Sequence, residues 1–233
     1  MAMTKTAEGA KIKKKIARKR KGRFLRKTAE TDIKLELNID GRGKYKIDSG
    51  VPFFNHMLEQ FSKHSGFDMV LRAKGDTGVD LHHLIEDTGI ILGGALKDLS
   101  GDKKGIKRFG FASVPMDDAL VQSTVDFCGR AFFVCRYIDE DISQSGKDFF
   151  KPSARISGQA SREILVDKFF YVYSSIFFDA VCKNALMNLH VNIQYGSNIH
   201  HMVEAIFKST GRAVSDALKI VDDFGVPSTK GSI

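Results

Sequence analysis

Two short stretches constrain this chain more than anything else in it: LHHLIED at residues 81–87 and IHHMVEA at residues 199–205. Each holds adjacent histidines with a glutamate three residues after the second. A shift of 118 superposes His82 on His200, His83 on His201, Glu86 on Glu204, Gly93 on Gly211 and Ala95 on Ala213. Near the start of each half, a shift of 88 lays Glu30 on Asp118 and Gly41–Arg42 on Gly129–Arg130. A repeat this long is an internal duplication, not a short solenoid period.

The pattern along the chain fits two copies of one plan. Residues 31–40 alternate apolar and polar and read as a strand, and the segment 41–50 turns and returns. Pro52 opens a helix, PFFNHMLEQFSKH, with Phe54, Leu58 and Phe61 on one face and His56, Gln60 and His64 as a polar stripe. A strand over 67–76 and a helix from His82 to Leu99 complete the first half. The second half supplies strand, turn and strand over 119–137, a helix over 175–185, a strand over 187–196 and a helix over 200–219. Residues 139–165 have no clean periodicity and read as a long inserted loop. His190 falls in an alternating strand, where a structural role is expected.

Charge divides the chain unevenly. Residues 1–23 carry ten Lys and Arg against Glu8 alone, so the tail holds +9 of the net +8 and the remaining 210 residues sum to −1. A block of like charge stays solvated and disordered. No base-stacking aromatics are interleaved with it, so it is not read as the seat of function. The expected organisation is a basic tail over 1–23, a first half over 24–113 and a second half over 114–233. No apolar run reaches the roughly 20 residues of a membrane span, and no signal peptide appears. Cys128, Cys135 and Cys182 form no C-x-x-C pattern and read as reduced core thiols of a cytosolic protein.

The motif itself dictates chemistry. On a helix the two adjacent histidines diverge by about 100° around the axis. They cannot easily grip one ion together, but each can reach a different one, with the glutamate assisting. Two copies then make two sites that share ligands from both halves or from neighbouring subunits. Imidazole with carboxylate suits a borderline divalent metal, Mn²⁺ or Fe²⁺ rather than a thiolate zinc site. Candidate anion donors are spread out: Arg108, Arg130, Lys208, Ser228, Thr229 and Lys230. Neither G-x-x-x-x-G-K-[ST] nor G-x-G-x-x-G occurs, so nucleotide binding has no motif support.

FFNHMLEQFSKHSGF, KGDTGVDLHHLIEDTGIILG, GDKKGIKRFGFASVPMDDAL and NIHHMVEAIFK together resemble the imidazoleglycerol-phosphate dehydratase family of histidine biosynthesis. The likeness runs from about residue 26 to the C-terminus. It implies an α+β fold of two sheet-plus-helices halves, of the ribosomal protein S5 domain 2-like kind. It also implies trimers assembled into a 24-subunit cage, and two Mn²⁺ per active site between subunits. Carried over by position, the metal ligands are His56, His82, His83, Glu86, His200, His201 and Glu204. Glu30, in the T-x-E-T element, touches substrate, and Gln60 and His64 line it. Arg108, Arg130, Lys208, Ser228 and Lys230 hold the phosphate, the last two from a C-terminal binding segment. The implied reaction dehydrates imidazole glycerol phosphate to imidazole acetol phosphate. Metals on both ring nitrogens make an imidazolate that expels the hydroxyl through a diazafulvene-like intermediate, while Glu30, Glu86 or Glu204 moves protons.

One position departs from the family's pattern. The second-half helix usually begins with a ligand, His or Glu, where this chain has Ile176; the duplication would also put a partner for His56 there. Either water or another side chain replaces it, or one metal binds weakly, or activity is lost. Asn55 stands where the family has Asn or Asp, and Ala131 replaces a usual proline. Two readings from other classes therefore stand beside the dehydratase. One is a metal-binding assembly protein of the same fold with little catalysis. The other is a nucleic-acid module in the tail.

Overall fold

The computed structural model describes residues 20–75, 78, 80–138, 167, 169–221 and 225–231; of residues 170 and 171 only the backbone is described. The expected tail up to residue 19 and the expected loop over 139–165 lie outside the described residues.

The first half begins with β1 (Lys21–Lys27), β2 (Thr31–Asn38) and β3 (Tyr45–Asp48), followed by α1 (Pro52–Ser65), β4 (Asp68–Gly75) and α2 (His82–Ser100). The second begins with β5 (Phe109–Met116), β6 (Ala119–Asp126) and β7 (Phe132–Tyr137). A π-helical turn (Phe169–Tyr173) then leads into α3 (Ser174–Ala185), β8 (Asn188–Tyr195) and α4 (Ile199–Ala217). The sheets have the same topology, β1-β2-β4-β3 and β5-β6-β8-β7, with the last pair parallel and the others antiparallel.

Alternation fixes which face of each sheet turns inward. Ile33, Leu35 and Leu37 of β2 are buried, while Lys34 and Glu36 face out. α1 and α2 cover the first sheet, α3 and α4 the second. α1 packs on α4 and α2 on α3, so the order of layers is sheet, helices, helices, sheet. Phe54, Phe169, Phe177 and Phe207 meet between the helix pairs, with ring centroids 5.5–5.7 Å apart. Among the described residues no helix is long and apolar enough to cross a membrane.

Two strands escaped the sequence pattern. β1 begins inside the segment counted as tail: residues 21–23 pair with residues 36–38 of β2. Its alternation is masked because outward Leu25 is as apolar as inward Phe24. β5 is missed because its pattern is inverted. Phe109 and Phe111 face solvent while Gly110 and Ala112 lie inside. α4 passes so close that a Cβ at Gly110 would sit 1.9 Å from the Ala213 carbonyl oxygen. β5 belongs to the second sheet and straddles residue 113/114.

Candidate metal and active site

Each histidine pair opens its helix from a polar anchor two residues before it. The Asn198 side chain accepts from the His200 and His201 amides (2.9 and 3.4 Å), capping α4. Asp80 accepts from the His82 amide (2.8 Å) at the start of α2. The rings then diverge: His82 and His83 lie 5.6 Å apart at 78°, His200 and His201 6.1 Å apart at 88°. They serve different partners, as the 100° step around a helix requires.

α1 and α4 run in the same direction, which lays the stripe His56, Gln60, His64 beside His200, Glu204, Lys208 and Arg212. His56 Nε2 is 3.4 Å and His200 Nε2 3.3 Å from the same oxygen of Glu204. The donor atoms of these three residues lie within 4.8 Å of one another, a set that fits one divalent cation. Gln60 Nε2 is 3.5 Å from His56 Nε2. Lys208 donates to the other oxygen of Glu204 (2.7 Å). Burial pushes the Glu204 carboxyl up, but Lys208 and His56 outweigh it, and the group sits below the ordinary range. Burial, Lys208 and Arg212 push the neighbouring His64 down, against a smaller pull from Glu204.

The second histidine of each pair is held by a carboxylate from the strand region below it. His83 Nδ1 is 3.2 Å from Glu30 Oε2, and His201 Nδ1 is 2.5 Å from Asp118 Oδ1. In the neutral ring an Nδ1–H donating to a carboxylate leaves the lone pair on Nε2, the arrangement of a metal-ligating histidine. Asp118 also accepts from the Ser197 hydroxyl and from the amides of Ser197 and Asn198 (2.7–2.8 Å). His201 and these donors hold its carboxyl well below the usual range. Asp118 was absent from the expected site; the shift of 88 that lays Glu30 upon it was the available signal.

On α2, His82 Nε2 lies 3.9 Å from Glu86 Oε2, and both side chains are nearly half exposed. Of the expected phosphate residues, Arg108 is tied to Asp126 (2.8 and 3.2 Å) and to the Pro227 carbonyl (2.7 Å). This brings it beside the C-terminal segment, where Ser228 Oγ accepts from the Lys230 amide. Arg130 is exposed. Lys208 lies elsewhere, 3.3 Å from Met116 at the far end of β5 from Arg108, and an eight-residue strand spans roughly 25 Å. One chain does not gather these cations round one anion. His190 lies on the outer face of β8 against Phe132, away from the cluster. Cys128, Cys135 and Cys182 are free and buried, and burial pushes the Cys135 thiol up to about 12 and raises that of Cys182, so neither of these two is a ready metal ligand.

A duplicated α+β body with imidazole and carboxylate donors at its helix starts has the donor set of a divalent-metal site. The family model described as imidazoleglycerol-phosphate dehydratase matches residues 49–214, and the chain belongs to that family. It is 46% identical to the imidazoleglycerol-phosphate dehydratase of Geobacillus kaustophilus over 215 residues, 92% of this chain and 99% of the relative. Against that of Chlorobium phaeobacteroides it is 42% identical over 220 residues, covering 94% and 98%. Two solved dehydratase structures share the fold. The Staphylococcus aureus structure has a TM-score of 0.61 at 30% identity, covering 86% of this chain and all of that one. The Pyrococcus furiosus structure has a TM-score of 0.63 at 32% identity, covering 90% and 99%.

Proposed function

We propose that this chain dehydrates imidazole glycerol phosphate to imidazole acetol phosphate in histidine biosynthesis, as a metal-dependent carbon–oxygen lyase of the cytoplasm. One observation carries the reading: His56, His200 and Glu204, from opposite ends of the sequence, converge within 4.8 Å in a member of the dehydratase family. Family membership favours this over an assembly protein without catalysis.

Bound there, Mn²⁺ would act as a Lewis acid on the substrate's imidazole and fix its orientation. His56, His200 and Glu204 would hold one ion, and His82 and Glu86 would contribute to a second. His83 and His201, with tautomers set by Glu30 and Asp118, would offer Nε2 to metal shared with a neighbouring subunit. The carboxylates divide the work. Glu204, buried and paired with Lys208, stays ionised and suits a ligand. Glu30 is half exposed, anchored through its side chain only to His83 in the described structure, and suits the proton transfer. Gln60 and His64 would line the substrate.

The distance between Arg108 and Lys208 supports a phosphate site made from more than one chain, with Arg130, Ser228 and Lys230 contributing. That agrees with self-association into trimers and a 24-subunit cage. Phosphate binding far from the reacting carbon supplies energy that fixes geometry.

Turnover of imidazole glycerol phosphate by the purified chain tests the proposal. Product should form with Mn²⁺, disappear after chelation and return on adding the metal back. Absence of product at saturating Mn²⁺ would refute it.

A further inference from the structure

We propose that the two metal half-sites of this chain are unequal: the one at His56, His200 and Glu204 binds a divalent cation tightly, and the one at His82 and Glu86 binds it loosely because Ile176 stands in the place of His56. The inference rests on the metal reading above and goes beyond it.

The equivalence of His56 and Ile176 follows from structure as well as sequence. β4 and β8 correspond at a shift of 120, and so do the ends of α1 and α3. Gly66 and Leu186, 120 apart, both close their helices in the left-handed conformation. The packing repeats the same offsets. A Cβ at Gly211 of α4 would meet the Phe61 carbonyl oxygen of α1 at 2.8 Å. A Cβ at Gly93 of α2 would meet that of Val181 of α3 at 2.4 Å. Phe53 packs on His200, and its counterpart Tyr173 reaches the backbone of Leu81, beside His82. Position 176 therefore stands to His82 and Glu86 as His56 stands to His200 and Glu204.

An isoleucine side chain has no donor atom, and Ile176 packs against the hydrophobic core. Asp179, one turn further along α3, is taken up by Lys183 (2.6 Å). A second difference points the same way. Lys208 orients Glu204, but its counterpart at the shift of 118 is Ile90, so among the described residues Glu86 has no such clamp on its own helix; Lys183 of α3 lies within electrostatic reach of it but is hydrogen-bonded to Asp179. Glu204 is 7% exposed and Glu86 46%. Any donor supplied to each half-site by a neighbouring subunit through His83 or His201 leaves the difference of one ligand in place.

Equilibrium dialysis of the chelator-stripped full chain against Mn²⁺ tests the inference without turnover. Wild type should show two classes of site, with dissociation constants at least about tenfold apart. His56→Ala should remove the tight class, and Ile176→His should tighten the loose one toward it. Two equal classes in the wild type would overturn the inequality while leaving the metal reading intact. So would an Ile176→His chain, folded by circular dichroism, whose loose class is unmoved. Absence of Mn²⁺ binding in the wild type would overturn the metal reading and this inference with it.

Discussion

At His201, Nδ1 lies 2.5 Å from Asp118, whose other oxygen is held by Ser197 and Asn198. Such a carboxylate sets ring orientation and tautomer but is not free to carry protons. Asp118→Asn should weaken Mn²⁺ retention about 10–100-fold, read by equilibrium dialysis, while far-UV circular dichroism stays that of the wild type. Lys208 governs a different property of the same region. It and His56 keep the Glu204 carboxyl below its ordinary range despite burial. The native state thus gains stability from ionised Glu204 that is present above the unfolded value and lost as pH falls through the lower native one. Lys208→Met removes the larger of the two opposing pulls, and the carboxyl should titrate higher than in the wild type. The acid limb of Mn²⁺ binding should move to higher pH, a shift that dialysis across pH 4–7 would reveal. The histidines and glutamates of the two motifs were legible in sequence because duplication marks them. The pairing of His56 with α4 was not, since contact between helices 148 residues apart leaves no local pattern.

Among the elements, the first sheet is pinned to α2 by Asp87. It accepts from Thr31 of β2 (2.5 Å) and pairs with Arg26 of β1 (2.7 Å). The carboxylate is buried, and removing it takes the ion pair from the Arg26 guanidinium and leaves the Thr31 hydroxyl only its contact with the Thr28 hydroxyl (3.1 Å). Asp87→Ala should cost about 2–4 kcal/mol, measured by urea unfolding. It should loosen β1 first, since among the described residues that edge strand has β2 as its sole strand neighbour. The helices and β2, β4, β6 and β8 were readable because periodicity and burial agree in them. β1 and β5 were not, since charge hides one and the near approach of α4 inverts the other. Glycine and alanine inside with phenylalanine outside is the reverse of what alternation leads a reader to expect.

For the molecule as a whole, the outer faces of the two sheets differ. The first presents Lys21, Arg23, Lys34, Glu36, Arg72 and Lys74 around Leu25 and Val70, while the second presents Phe109, Phe111 and Phe132 with fewer charges, Asp126 and Arg136. Exposed aromatics concentrated on one face suit burial against another subunit. The proposed assembly therefore predicts that Phe111→Glu lowers the particle mass in light scattering with little change in the secondary structure of the subunit; an unchanged mass would detach that face from assembly. Linking the halves in one chain has a further outcome. Were each half a separate polypeptide pairing with its twin, a change from histidine to isoleucine would strike both partners at once and leave no intact copy. Joined end to end, the copies mutate independently, so one can keep its original chemistry while the other drifts toward a new task.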